Sequence, residues 1–80
     1  QNELLISTYP NPALNTINIE LNAGEEAVRV IIIGSLGNIV HEYQLTEPNQ
    51  PIDVSYFPKG MYYAIAMSSS SKSSTKFLKN

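Results

Sequence analysis

The stretch Tyr56-Phe57-Pro58-Lys59-Gly60-Met61-Tyr62 decides the fold. A proline ring fixes φ near the value needed at the second position of a type I turn, and glycine suits the fourth. Pro58 and Gly60 take those two positions when Phe57 opens the turn. Tyr62, at the head of the apolar run that follows, can then return its hydroxyl to a backbone group of the turn. That arrangement is a tyrosine corner, which in immunoglobulin-like sandwiches closes the connection from the fifth strand to the sixth. It predicts five strands before the corner and two after it.

The rest of the chain supplies them. Downstream, residues 61–67 and 74–78 read as the sixth and seventh strands. Upstream, residues 52–54, 39–45, 27–33, 16–21 and 4–9 read as the fifth back to the first. Residues 16–21 alternate most cleanly, with Ile17, Ile19 and Leu21 against Thr16, Asn18 and Glu20, the period-2 signature of a half-buried strand. Residues 27–33 are nearly continuous in β-branched side chains, which favours strand over helix. The connections carry turn chemistry: residues 22–26 after the second strand, Gly34-Ser35-Leu36-Gly37-Asn38 as a hairpin turn, and residues 47–51 as a loop. The serine-rich run 68–73 reads as a mobile hairpin loop. No helical periodicity exceeds a turn and no internal repeat is present. The expectation is a single domain over residues 1–80, an all-β, seven-stranded antiparallel immunoglobulin-like β-sandwich.

Composition bounds the function. The chain has 80 residues, no cysteine and 42% hydrophobic residues, enough for one compact core with no disulfide staple. A formal charge of −2 gives no nucleic-acid footprint. No apolar run approaches the roughly 18 residues that span a bilayer as a helix, so no membrane insertion is expected. Residues 1–3 carry neither a basic nor an apolar leader region, so if the protein is exported its leader is expected upstream. Lys72, Lys76 and Lys79 cluster near the end, with no acid after Asp53. Lysines there read as a solvated edge strand protected against edge-to-edge pairing, in preference to the alternative of a dedicated anionic docking site.

Nothing in the sequence organises catalysis, a metal or a cofactor. His41 is the lone histidine, without cysteine or a second histidine at ligand spacing. A serine, His41 and Asp53 could be combined on paper, but no serine sits in a nucleophile-elbow context. Gly34 and Gly37 open no helix and make no phosphate loop. Tyr9-Pro10-Asn11-Pro12-Ala13 is a rigid strand terminator, because two prolines remove ladder donors and constrain the residues before them.

One surface stands out. If Tyr62, Ala64 and Ala66 face the core, then Tyr63, Ile65 and Met67 point outward. If Val28, Val30 and Ile32 face the core of the neighbouring third strand, Ile31 and Ile33 point outward beside them. Five large apolar side chains then share one face, a surface for a partner or for weak self-association. A register inverted by one residue would instead make these five the core.

Four segments together resemble the C-terminal sorting domain of the type IX secretion system, also known as the Por secretion system tail. Tyr9-Pro10-Asn11-Pro12-Ala13 is similar to the family's opening block. Residues 30–40, with Gly37, are similar to its central strand and turn. Pro58-Lys59-Gly60-Met61-Tyr62 is similar to its corner, and Lys76-Phe77-Leu78-Lys79-Asn80 to its basic-aromatic end. Gly34 departs from the family's acidic or amide residue, and Ala64 and Ala66 from its larger branched ones.

The resemblance implies a non-enzymatic secretion signal. An upstream cargo domain would reach the periplasm by its own leader and cross the outer membrane of a Gram-negative bacterium. The translocon would recognise the domain, and sortase-like machinery would process it, leaving the cargo at the cell surface or in the medium. The residues implied in recognition are Tyr9, Pro10, Asn11, Pro12, Gly37, Pro58, Gly60, Tyr62, Lys76, Phe77 and Lys79. None of this follows from composition or periodicity. The rival reading is an accessory adhesion or carbohydrate-binding β-sandwich on a secreted enzyme, although the chain has no tryptophan and only five tyrosines for a sugar platform.

Overall fold

The computed structural model describes residues 4–22, 28–45, 47, 49–69 and 71–80. The strands are β1 (Ile6–Tyr9), β2 (Thr16–Leu21), β3 (Val28–Gly34), β4 (Ile39–Leu45), β5 (Asn49–Asp53), β6 (Gly60–Met67) and β7 (Lys72–Lys79). They form two antiparallel sheets, one ordered β1-β2-β5 and the other β4-β3-β6-β7. Seven antiparallel strands in two sheets make the fold an all-β sandwich of the immunoglobulin-like kind.

The core lies between the sheets and follows strand alternation. From the three-stranded sheet, Ile6, Ile17, Ile19, Leu21 and Ile52 point inward. From the other sheet come Val28, Val30, Ile32, Leu45, Tyr62, Ala64, Ala66 and Phe77. Ala64 and Ala66 are fully enclosed despite their size. The register pairs Ala64 with Ile32 and Ala66 with Val30, so each small residue sits beside a branched one. Alternating small and large side chains lets a thin sheet face fill to native density.

Three connections show how local chemistry places these strands. In the β3–β4 hairpin, Gly37 N–H donates to Gly34 O at 2.9 Å and Gly34 N–H to Asn38 O at 2.9 Å. Gly37 sits at φ 88°, where a side chain would be strained, the bulged form of a three-residue hairpin. Further along, Ile32 pairs with His41 but Ile33 with Ile39, leaving Val40 as a bulge residue. The bulge explains why adjacent residues differ: Ile39 is exposed while Val40 packs against the core. A Cβ on Gly34 would lie 3.0 Å from Asn38 Oδ1, so a larger residue there requires Asn38 to shift.

Several boundaries correct the sequence reading. The fifth strand begins at Asn49 and runs through Pro51, where a loop was expected. It is an edge strand pairing only with β2, and one side of an edge strand needs no ladder donors, so proline is tolerated. The seventh strand starts at Lys72, because Ala66 and Met67 continue the ladder onto Ser73 and Lys72. The serine run therefore supplies a short turn, with Ser68 N–H donating to Ser71 O at 2.9 Å, and its last residues are strand. At the start, β1 begins at Ile6; the backbone at Leu5 instead bonds with Asn22, through the Asn22 side chain at 2.7 Å and backbone at 3.2 Å. The expected turn over 22–26 and the start of the third strand at Ala27 fall largely outside the described residues.

Candidate functional site

Three segments far apart in sequence meet at one end of the sandwich: the β1–β2 connection, the β5–β6 corner, and the end of β7. The corner has the predicted closure, since the Tyr62 hydroxyl donates to the Pro58 carbonyl. Gly60, at φ 148°, holds a backbone shape that L side chains rarely adopt. Phe57 N–H donates to Val54 O at 3.0 Å, so the hydrogen-bonded turn spans Val54–Phe57 and not Phe57–Gly60 as the sequence suggested; Pro58 and Gly60 come after it, leading into β6. Behind it the rings of Phe57 and Tyr62 lie 5.2 Å apart, and Tyr62 stacks on Phe77 at 5.6 Å. Burial raises the Tyr62 phenol pKa, because the phenolate would lose its water while the neutral hydroxyl keeps its acceptor.

The end of β7 is fastened on its open side. Asn11 Oδ1 accepts Leu78 N–H at 2.9 Å, Ala13 N–H donates to Leu78 O at 2.7 Å, and Asn80 N–H donates to Ala13 O at 2.8 Å. Ala13 thus forms a parallel bridge with Lys79. The prolines on either side of Asn11 halt β1 and turn the chain so that these groups reach across to the other sheet; both X-Pro bonds, Tyr9–Pro10 and Asn11–Pro12, are cis. Together these bonds form a clasp between the β1–β2 connection and the last strand.

Lys79 corrects the reading of the basic end as wholly solvated. It is 7% exposed, and its Nζ donates to Phe57 O at 3.0 Å. It faces inward on β7 opposite Gly60. A buried polar group needs such a partner, and through it Lys79 joins the corner to the clasp. Lys72 and Lys76 point outward and are exposed, as edge-strand lysines should.

The expected recognition residues therefore divide. Asn11, Pro58, Gly60, Tyr62, Phe77 and Lys79 converge in the clasp and corner. Pro10 and Pro12 are exposed on the same connection. Tyr9 lies on the outer face of the three-stranded sheet, its hydroxyl accepting from Asn49 Nδ2 at 3.0 Å. Gly37 is in the β3–β4 hairpin, separated from the corner by an open groove of about 470 Å³ between the two turns. Ile31, Ile33, Tyr63, Ile65 and Met67 all lie on the outer face of the four-stranded sheet; Tyr63 is exposed and the others are half-buried by their neighbours.

Sequence reasoning did not single out Ala13 and Asn80, whose backbones make the clasp, nor the Phe57 carbonyl that receives Lys79. Backbone groups leave no mark in a sequence. An alanine between two prolines and a leucine, fully buried here, was the one available signal. It also missed an aromatic group around His41, where Tyr56 Oη lies 3.3 Å from Nδ1 and the Tyr43 ring 4.5 Å away. Burial raises the Tyr43 pKa, and Tyr56 raises it further. Asp53 is engaged with Ser55 N–H at 2.9 Å, a bond that lowers its pKa. His41 thus meets a phenol and Asp53 a backbone amide, and no serine–histidine–aspartate combination assembles among the described residues. Among the described residues no cluster of three metal-ligating side chains exists.

The family model for the secretion system C-terminal sorting domain matches residues 7–80, taking in the β1–β2 connection, the corner and the end of β7 together. The chain belongs to this family. A search of curated proteins found no match. As a sorting domain it is a signal for type IX secretion that engages that machinery. Its family role is export across the outer membrane to the cell surface or the medium, and it is not a catalytic one.

Proposed function

We propose that this sorting domain sits at the C-terminal end of an exported protein and that the translocon reads it as a folded object, with the clasped end of β7 as the part recognised. On this reading the upstream cargo crosses the outer membrane, and sortase-like processing then leaves it attached at the surface or released. The observation that carries the reading is the convergence of Asn11, Tyr62, Phe77 and Lys79 at one end of the sandwich, although they come from three separate segments. Such an assembled end exists only once the module has folded. It gives a translocon a means of distinguishing a finished signal from an extended chain.

The sugar-binding alternative lacks a comparable convergence. Tyr9, Tyr56 and Tyr63 are the exposed tyrosines, and they lie on the outer face of one sheet, at the corner, and on the outer face of the other sheet. A sugar platform needs flat aromatics side by side.

The test is delivery of a periplasmic reporter, carrying its own leader and residues 1–80 at its C-terminus, in a host that has the type IX pathway. The reporter should reach the surface or medium, and removal of residues 76–80 should leave it in the periplasm. An intact fusion that stays periplasmic in a competent host would overturn the reading.

A further inference from the structure

The two outer faces of the sandwich differ in kind. On the three-stranded sheet, the outward positions of β2 are Thr16, Asn18 and Glu20, and those of β5 are Asn49, Pro51 and Asp53. That is the solvated outer face expected of an antiparallel sheet. On the four-stranded sheet, the two central strands instead present Ile31, Ile33, Tyr63, Ile65 and Met67 outward, with Ile31 opposite Ile65 and Ile33 opposite Tyr63. Polar groups border most of this stripe, while at its corner end the face stays apolar, with exposed Ile39 opposite Ile33 and Leu78 opposite Met61. β4 contributes Glu42, paired with Arg29, and β7 contributes Lys72 opposite Met67, Ser74 opposite Ile65 and Lys76 opposite Tyr63. An apolar centre within a polar rim is the anatomy of a protein interface.

Charge and size specify what fits it. Among the described strand residues the carboxylate on this face, Glu42, is engaged by Arg29, whereas Lys72 and Lys76 are exposed and no ion pair holds them. The rim therefore has unmatched positive charge. The stripe spans two strands about 5 Å apart and roughly six residues at about 3.3 Å each, on the order of 200 Å². A stable interface takes about 800 Å² from each partner, so whatever covers the stripe must also cover the rim and meet both lysines. A second copy stacked with aligned strands would set β7 over β7, or β7 over the β4 carboxylate that Arg29 already holds, and neither neutralises the lysines. A lipid surface would favour side chains rising from the whole face, but four of the five stripe residues are half-buried within it, and exposed Ile39 and Met61 are confined to its corner end.

We infer that the outer face of the four-stranded sheet is a docking surface for a protein of the secretion machinery that presents an apolar patch bordered by carboxylates. The inference rests on the sorting-signal reading and places a second contact beside the clasped end, on a different face. Apolar contact through Ile31 and Ile65 supplies the hold, and Lys72 and Lys76 set orientation and rate of encounter.

The test uses the same reporter fusion with paired substitutions. Ile31→Ser with Ile65→Ser, and separately Lys72→Glu with Lys76→Glu, should each reduce surface delivery about tenfold or more, whereas the opposite-face pair Ser7→Ala with Asn18→Ser should not. Thermal melts of the purified fusions verify folding. If the isoleucine pair does not fold, Tyr63→Lys at an exposed position takes its place. An intact fusion that is never delivered refutes the sorting reading itself. Normal delivery of the folded isoleucine (or Tyr63→Lys) and glutamate variants beside a delivered parent overturns the docking surface. A parent fusion that sediments as a dimer, and that the stripe substitutions make monomeric, assigns the face to a second copy. Cosedimentation with phosphatidylglycerol vesicles that Lys72→Glu with Lys76→Glu abolishes assigns it to lipid. Either result overturns the inference.

Discussion

At the residue scale, Tyr62 carries more of the corner than its burial alone suggests. Its ring packs between Phe57 and Phe77 while its hydroxyl serves the Pro58 carbonyl. Tyr62→Phe keeps the ring and removes the bond, so it should cost about 0.5–1.5 kcal/mol, read as a lower denaturation midpoint with unchanged slope. The same phenol makes stability depend on pH at the alkaline end. Tyr62 and Tyr43 both have pKa values raised above the ordinary 10.0 in the folded protein. Above about pH 10 the unfolded chain therefore releases protons that the folded one keeps. Their contribution is complete below that pH and declines as pH rises towards the folded values. Denaturant midpoints measured across the alkaline range should fall, and Tyr62→Phe should flatten part of that fall. The corner itself was legible, because Pro58, Gly60 and Tyr62 each constrain the backbone or the packing in a way tied to residue type. The partner of Lys79 was not, because any residue at position 57 offers the same carbonyl.

At the element scale, β7 shows how an edge strand is secured. Its inner side pairs with β6 along its whole length, from Gly60–Lys79 to Met67–Lys72. On its outer side, Ser71 Oγ accepts Leu4 N–H at 3.2 Å just before the strand, and Asn11 and Ala13 close the other end. Asn11→Ala removes the side-chain acceptor of Leu78 N–H and leaves both prolines in place. We expect a loss of about 0.5–1.5 kcal/mol, with faster amide exchange concentrated at Leu78 and Asn80. Uniform acceleration over all of β7 would show that the clasp is not a separate local unit. Strand existence was legible for β2, β3 and β6, but facing only for β2, whose alternation is clean; β3 is nearly continuous in β-branched residues, so its facing and that of β6 stayed open by one residue until the ladder between them fixed it. The start of β7 was not, because serine and lysine have weak strand preference, and only the continuing ladder from β6 extends it to Lys72. For β5, Pro51 argued against a strand, and sheet position overrode the residue's own preference.

At the scale of the whole molecule, the clasp joins the beginning and the end of the fold. Ala13 and Lys79 are bridged in parallel, so traction applied to the module at its two ends draws the bridged segments past each other lengthwise. Bonds loaded in that direction share the load and fail together; strands peeled from one end lose them one at a time. A module hanging between a cargo and a machine that grips it would therefore resist mechanical extension through the few bonds around Asn11, Ala13, Leu78 and Asn80, more than its modest thermodynamic stability implies. Single-molecule stretching between residues 4 and 80 should show one abrupt force peak. Asn11→Ala should lower that peak more than Tyr62→Phe does, even where the two variants lose equal stability at equilibrium. With that result in hand, a sorting signal built this way would be a mechanical coupling as well as a label, able to carry tension to a cargo without unravelling.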